Sequence, residues 1–118
     1  MPLDTGDAAS LWDMLDAARA VAGFVASRRF HDYVQDRMLR GAVERHLEII
    51  GEAAGRVSSG FREDHSEVPW RGVIGLRNVL AHEYGEIKHE KIWFVATEQL
   101  PALIEALEPL VPPGPDAG

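Results

Sequence analysis

Apolar residues recur at helical spacing along nearly the whole chain, and this regularity constrains the fold more than any other sequence feature. Four stretches place their apolar residues three or four positions apart, which puts those residues on one face of a helix. The stretches run from about 8 to 25, 32 to 57, 69 to 84 and 92 to 110. No stretch alternates between apolar and polar residues as a half-buried strand does. The pattern predicts an all-α protein, a four- to five-helix up-and-down bundle.

Length and composition are typical of one domain. The chain has 118 residues, of which 46% are hydrophobic, and this is enough apolar material to bury one core. We expect a single helical domain over residues 1–110. The remaining segment, 111–118, is rich in proline and glycine, and we expect it to be a disordered tail.

Charge and cysteine content exclude several classes of protein. Twelve basic residues against 19 acidic ones give a net charge of −7, so any contact with nucleic acid must be local and not a broad electrostatic attraction. No apolar run approaches the ~20 residues of a membrane span, and the N-terminus lacks the features of a signal peptide. The absence of cysteine excludes disulfides and thiolate metal sites. We therefore expect a cytoplasmic protein that does not contact a membrane.

Helix-breaking residues modify this helical pattern at four places. The segment 58–67 is polar and is predicted to be a loop between the second and third helices. Gly51 lies inside the apolar stripe of the long second helix, where a glycine allows another backbone to come close. Gly85 follows the third helix and is a candidate C-terminal cap. Pro101 interrupts the fourth helix, but the apolar phase continues across it, which predicts a kink and not an end.

The end of the third predicted helix concentrates side chains that can handle a phosphate. Within its last two turns lie Arg77, Asn78, His82 and Tyr84. Arginine presents a planar fork of donors that suits a phosphate, and histidine can both accept and donate a proton near neutral pH. This combination indicates phosphoryl-transfer chemistry.

Arg77 falls on the same face of its helix as apolar residues such as Trp70 and Leu80, at about 100° per residue. An unpaired guanidinium in apolar surroundings is costly. Two interpretations therefore remain open. Arg77 forms a structural ion pair with Glu48 or Glu52 of the long helix, or it faces a cleft that receives an anion.

His82 lies about 140° around an ideal helix from Arg77, so the two side chains do not stack on each other. They converge only if the helix distorts near Gly85, or if a second copy of the chain brings its own motif across a two-fold axis. The second possibility predicts a symmetric homodimer with a shared cleft. We expect its interface to include parts of the long helix and of the third helix.

The histidines and acidic residues between 82 and 90 do not form a recognisable metal motif. His82 and His89 are not spaced as the paired histidines of a helical metal site are, and no second acidic cluster accompanies them. No glycine-rich loop that could cradle a phosphate occurs either, because Gly72 and Gly75 lie inside a predicted helix. We expect neither a metal nor another cofactor.

Three segments of the chain, taken together, resemble the HepT-like toxins of the HEPN superfamily. They are the segment 42–54, which ends in Gly-Glu-Ala-Ala, the pair Pro69-Trp70, and the pattern Arg-Asn-x3-His-x-Tyr at 77–84. The order of these segments is specific, whereas an arginine and a histidine alone would be a weak signal. The resemblance extends from about Phe30 to Leu107.

The resemblance implies a dimeric, all-helical endoribonuclease that works without a metal in a cleft between subunits. By position in the motif, Arg77 and His82 are the implied catalytic residues and Asn78 assists them. The implied partners are an RNA substrate, a second copy of the chain and a cognate nucleotidyltransferase antitoxin. That antitoxin would neutralise the toxin by adenylylating Tyr84.

The implied chemistry assigns a separate role to each side chain. His82 is the general base toward a ribose 2′-hydroxyl or the general acid toward the leaving 5′-oxygen, and Arg77 stabilises charge on the transition state. A phenol stays protonated at neutral pH, so Tyr84 is expected to be a regulatory site and not a base. One alternative remains. Relatives of this fold also serve as non-catalytic nucleotide- or partner-binding subunits of nucleotidyltransferases.

Overall fold

The computed structural model describes residues 5–112 and is all-α over that range, which confirms the predicted fold class. The described residues contain no strand, and none of their helices combines the length and apolar character that a bilayer span requires. Most of the predicted tail, residues 113–118, lies outside the described residues. The helices are α1 (Thr5–Val25), α2 (Phe30–Gln35), α3 (Arg37–Arg56), α4 (Ser59–Asp64), α5 (Trp70–Ile74), α6 (Leu76–His82), α7 (Gly85–Phe94) and α8 (Leu100–Leu107).

The core lies mainly between α1 and α3, which pack along most of their length. Each contributes a stripe of apolar side chains at the spacing expected from the sequence, and α8 also packs against α1. Each fully buried leucine, isoleucine or methionine contributes about 1.5–3 kcal/mol relative to an exposed one. The fully buried residues of the two stripes include Leu11, Met14, Val21, Val43, Leu47 and Ile50.

The predicted long helix from 32 to 57 is wrong at its start, because the chain breaks at Asp36. Asp36 has an extended backbone, with φ −111° and ψ 99°, and its carboxylate accepts a hydrogen bond of 3.0 Å from the Leu39 N–H. This is the N-cap arrangement that satisfies a free donor at a helix start. The segment therefore forms a short α2 followed by a separate α3.

The predicted loop 58–67 contains a helix, α4. Ser58 caps it, since its hydroxyl accepts a hydrogen bond from the Phe61 N–H at 3.3 Å. Ser58 in turn donates from its backbone N–H and its hydroxyl to the two carboxylate oxygens of Asp7, at 2.8 and 2.6 Å. The cap of α4 is thereby attached to the first turns of α1.

The predicted third helix ends near Tyr84, as expected, but it is wrong in two other respects: it breaks at Gly75, and Gly85 does not cap it. Gly75 interrupts it with φ −68° and ψ −10°, which separates α5 from α6. Glu83 and Tyr84 are both extended, and Gly85 has a φ of +62° at the start of α7, so Gly85 is not the C-terminal cap of the third helix. The break at Gly75 also changes the apolar phase, so that Leu76 is buried while the neighbouring side chain at 77 is exposed.

The helix that contains Pro101 continues through the proline, as the apolar phase predicts. Residues 85–107 are helical without interruption, and the turn before the proline, Val95–Gln99, is π-helical. In that turn the Leu100 N–H donates to the Val95 carbonyl, five residues earlier. Proline has no N–H to donate, and the wider turn accommodates this loss within a continuous helix.

Candidate functional site

The motif residues lie on α6 and on the short extended connection that follows it. Arg77 and Asn78 are in the first turn of α6, His82 is its last residue, and Tyr84 lies between α6 and α7. All four side chains are exposed, and 77% of Tyr84 is accessible. The structure therefore leaves each of them accessible to a ligand or a partner.

Gly51 on α3 allows the Arg77 segment to approach closely. A Cβ atom at Gly51 would lie 3.3 Å from Cγ of Arg77 and 3.3 Å from the carbonyl oxygen of Val73. The backbone of α5 and the aliphatic stem of Arg77 therefore rest directly against α3. This confirms the prediction that the glycine in the apolar stripe lets another backbone come close.

Arg77 and Asn78 line an open groove of about 770 Å³, which we call the Arg77 groove. Arg71 of α5 and Glu48 of α3 line it as well. Within residues 5–112 no carboxylate lies within 4 Å of the Arg77 guanidinium, and Glu48 instead pairs with Arg45 at 3.4 Å. The predicted alternative of an ion pair with Glu48 or Glu52 is not formed, and the geometry supports the other interpretation, a cleft that can receive an anion.

His82 and Tyr84 are not among the described residues that line the Arg77 groove. One copy of the chain thus brings Arg77 and Asn78 together and leaves His82 at the far end of α6. This agrees with the angular separation on an ideal helix. The possible distortion of this helix near Gly85 does not occur, because α6 ends at His82, before that glycine.

Ion pairs hold the connection that carries Tyr84 in place. Lys88 of α7 pairs with Glu44 of α3 at 2.8 Å, and both side chains are partly buried. Lys91 pairs with Glu83, the residue before Tyr84. Partly buried pairs are screened by salt less than exposed ones. The backbone around Tyr84 is thus attached to α3 and α7 while its phenol points outward into accessible space.

A buried polar cluster lies where α2, α3 and α7 meet. The Tyr33 side chain is fully buried, and its hydroxyl has no hydrogen-bond partner within the described chain. Its ring packs edge-on against His89, with centroids 6.1 Å apart. Burial raises the pKa of the Tyr33 phenol well above its usual range, the Glu44 carboxylate raises it further, and Arg40 lowers it. Tyr33 is therefore neutral and structural.

Arg71 is not among the site residues that the sequence predicts. On one continuous helix, six residues place Arg71 about 120° away from Arg77. The break at Gly75 removes that constraint, and both side chains line the same groove. The sequence feature that could have indicated this break is the pair Gly72 and Gly75 inside a predicted helix, since glycine weakens a helix interior.

Metal ligands do not cluster in residues 5–112, where no three side chains of histidine, cysteine, aspartate or glutamate lie together as a metal site would need. The candidate site therefore consists of a guanidinium pair and an amide in one groove, with an imidazole and a phenol farther along the same segment.

Comparison with known proteins gives consistent matches over most of the chain. The family model described as "Ribonuclease HepT-like" matches residues 14–110, a range that includes every motif residue. "Putative RNase MJ1380" of Methanocaldococcus jannaschii is 37% identical over 100 residues, which cover 85% of this chain and 92% of that protein. "Probable ribonuclease HepT" of Thermococcus cleftensis is 33% identical over 100 residues, which cover 85% and 91%.

A further relative matches a shorter stretch. "Putative RNase TTE0752" of Caldanaerobacter subterraneus subsp. tengcongensis is 43% identical over 74 residues, which cover 63% of this chain and 66% of that protein. No solved structure matches the chain. All three of these relatives are named as ribonucleases.

Proposed function

The chain belongs to the HepT-like ribonuclease family, and on that basis we propose that it is a metal-independent endoribonuclease, the toxin component of a cytoplasmic toxin–antitoxin system. The observation that carries this proposal is the Arg77 groove. In this acidic protein the groove exposes the Arg77 guanidinium, which has no carboxylate partner in the described chain. The guanidinium lies beside the Asn78 amide, on the helix that ends at His82. A phosphate is the natural ligand for such a guanidinium.

The proposed reaction needs one base, one acid and one anion-stabilising group. The His82 imidazole takes the proton of a ribose 2′-hydroxyl, and the 2′-oxygen attacks the neighbouring phosphorus. The bond from the 2′-oxygen to phosphorus forms while the bond from phosphorus to the 5′-oxygen breaks. A second imidazole, the partner subunit's His82, gives a proton to the leaving 5′-oxygen. The products are a 2′,3′-cyclic phosphate and a 5′-hydroxyl.

Arg77 and Asn78 hold the reacting phosphate in this mechanism. Arg77 donates to its non-bridging oxygens, whose negative charge increases in the transition state, and Asn78 adds a further donor. Because these side chains and His82 supply acid–base and electrostatic catalysis, the mechanism requires no metal ion.

The proposed active site lies between two copies of the chain. In one copy His82 does not line the Arg77 groove, so a second copy that places its own His82 there would complete the site. A two-fold axis would then give one cleft with two copies of each group.

Purified protein, single-stranded RNA and EDTA test the nuclease directly. We expect cleavage to persist in EDTA, and His82→Ala to lower its rate about 10²- to 10⁴-fold. Arg77→Ala should lower it about 10²- to 10³-fold. His31→Ala and Arg37→Ala are matched controls at exposed positions outside the groove and should cleave like the wild type. A requirement for a divalent ion, or unchanged cleavage by His82→Ala, would contradict the mechanism.

We also propose that a nucleotidyltransferase antitoxin neutralises the toxin by adenylylating Tyr84. The phenol is exposed and its backbone is held by the neighbouring ion pairs, so another enzyme can reach it. An added nucleotide would place bulk and negative phosphate two residues from His82, where it would compete with the phosphate of the RNA.

Co-expression with the nucleotidyltransferase and mass spectrometry test this regulation. We expect one added adenylyl group on the Tyr84 peptide and loss of nuclease activity, and neither change in Tyr84→Phe. Equal neutralisation of Tyr84→Phe would contradict it. Binding of the nucleotidyltransferase by a wild-type protein that never cleaves RNA would instead favour a non-catalytic partner subunit.

A further inference from the structure

A second groove of about 510 Å³ continues from the first along α5. We call it the Arg62 groove, because Arg62 of α4 lines it together with Trp70 and Arg71. Arg71 and Ile74 line both grooves. The two grooves therefore meet at Arg71, and Arg77, Arg71 and Arg62 mark one continuous surface from α6 to α4.

The three arginines along this surface have no carboxylate within 4 Å in the described chain. In addition, Nε of Arg62 is buried and has no acceptor there. Other arginines of this acidic protein do have carboxylate partners, namely Arg19, Arg28, Arg45 and Arg56. Arg29, Arg37 and Arg40 also have no carboxylate partner in the described chain, but they line neither groove. The two grooves therefore hold three of the six arginines whose charge is not neutralised there, and this charge would attract anions.

The elements that carry Arg62 and Arg71 are held in place before any ligand binds. Ser58 caps α4 and is bonded to Asp7 of α1. Trp70, at the start of α5, donates from its indole N–H to the His65 carbonyl at 2.9 Å and packs edge-on against Phe61. A preorganised surface loses less conformational entropy when it binds a ligand.

We propose that Arg71 and Arg62 bind the phosphates of the RNA strand next to the phosphate held at Arg77, so that a single strand lies along α5. This inference rests on the proposed nuclease function and adds to it the path of the substrate. Glu63 also lines the Arg62 groove, and its carboxylate would repel a strand that extended beyond Arg62. Each of the three arginines would then hold one phosphate of the strand.

The salt dependence of binding tests this path without any cleavage. The probe is a fluorescent 2′-O-methyl RNA oligonucleotide, which lacks the 2′-hydroxyl nucleophile, and its affinity is measured by anisotropy over a series of salt concentrations. Each phosphate contact in a single strand contributes about 0.7 to the slope of log K against log salt. We expect Arg71→Gln and Arg62→Gln each to weaken binding and to reduce the slope by about 0.7.

Arg37→Gln is the matched control, since Arg37 is exposed, lines neither groove and loses the same charge. We expect its slope to equal that of the wild type. Equal slopes for Arg62→Gln, Arg71→Gln and Arg37→Gln, in variants whose circular dichroism is native, would overturn the proposed path. The proposed path would also be overturned if Arg62→Gln and Arg71→Gln bound RNA normally but no longer bound a protein partner.

Failure of the proposed nuclease function and failure of the proposed RNA path give different results. If the wild type binds the oligonucleotide through Arg62 and Arg71 but never cleaves RNA, the proposed function is wrong and the path is correct. If it cleaves RNA while the slopes do not change, the function stands and the path is wrong.

Discussion

Arg77 reaches its groove because Gly51 on α3 has no side chain. The contact of 3.3 Å that a Cβ would make with the Val73 carbonyl is shorter than van der Waals distance, and a backbone oxygen cannot move away as a flexible side chain can. One glycine therefore sets the distance between α3 and the segment that carries the site. The sequence predicts a close approach at Gly51, but it does not identify Arg77 and Val73 as the groups that approach.

Gly51→Ala tests this contact, with Gly55→Ala as the control in the same helix. Nothing lies within 4 Å of a Cβ at Gly55, so Gly55→Ala should raise the free energy of unfolding by about 0.5–1 kcal/mol through helix propensity. Gly51→Ala should lose that gain to crowding and should cleave RNA more slowly. Equal stabilisation by both substitutions, measured by urea denaturation, together with full nuclease activity, would contradict this role.

Tyr33 makes the free energy of unfolding depend on pH in the alkaline range. Because burial raises the folded-state pKa of Tyr33 above that of the unfolded chain, the folded protein keeps a proton that the unfolded chain loses at high pH. The stabilising effect is complete below the unfolded value of about 10 and decreases as pH rises above it.

Tyr33→Phe should remove this contribution to the pH dependence. It should also raise the free energy of unfolding at neutral pH by about 1 kcal/mol, since it removes a buried hydroxyl that has no partner in the described chain. Urea denaturation at neutral pH and above pH ~10 provides the measurement. If Tyr33→Phe loses as much stability at high pH as the wild type does, other groups cause that loss.

The positions of the main helices can be predicted from the spacing of apolar residues, whereas the ends of the helices cannot. The buried stripes of α1 and α3 lie where the spacing places them, because burying one face of a helix is what stabilises it. The breaks at Asp36 and Gly75 depend instead on single caps and on packing between elements. An aspartate or a glycine occurs in many helices, so these breaks were not predictable from periodicity.

The cap of α4 is an element that can be tested by itself. Ser58→Ala removes the cap hydroxyl and one of the donors to Asp7, and should lower the free energy of unfolding by about 1–2 kcal/mol. Ser59→Ala, at the exposed next position, should change it by less than about 0.5 kcal/mol. Equal effects of the two substitutions in thermal or urea denaturation would show that the link between α4 and α1 contributes little.

At the scale of the whole molecule, the candidate site was predictable only in its residue types. The motif at 77–84 identifies the arginine, histidine and tyrosine, and the structure shows all three exposed. Their separation along α6, and the contribution of Arg71 to the groove, depend on where the helix breaks and ends. Tertiary structure decides those points, and one copy of the chain still leaves His82 outside the groove.

The protein is expected to be a homodimer. Large apolar side chains are exposed on α7, where 60% of Ile87 and 54% of Phe94 are accessible. Phe94 also lines a shallow apolar groove with Val79 of α6, next to the motif. Sedimentation velocity at micromolar concentration should show twice the mass of one chain. A monomer at that concentration would contradict a shared active site.

A mixed dimer tests the central claim, that Arg77 and His82 act together in a cleft shared by two copies. The Arg77→Ala and His82→Ala chains are co-expressed with different affinity tags, and the dimer that carries both tags is assayed for RNA cleavage in EDTA. Each variant alone should cleave RNA at least about 10²-fold more slowly than the wild type. The mixed dimer retains one Arg77 and one His82 on different chains, so its cleft keeps one guanidinium and one of the two imidazoles, and we expect it to cleave faster than the His82→Ala dimer, which keeps no imidazole. A mixed dimer that is no faster than the His82→Ala dimer, beside an active wild-type dimer with the same two tags, would contradict the shared cleft.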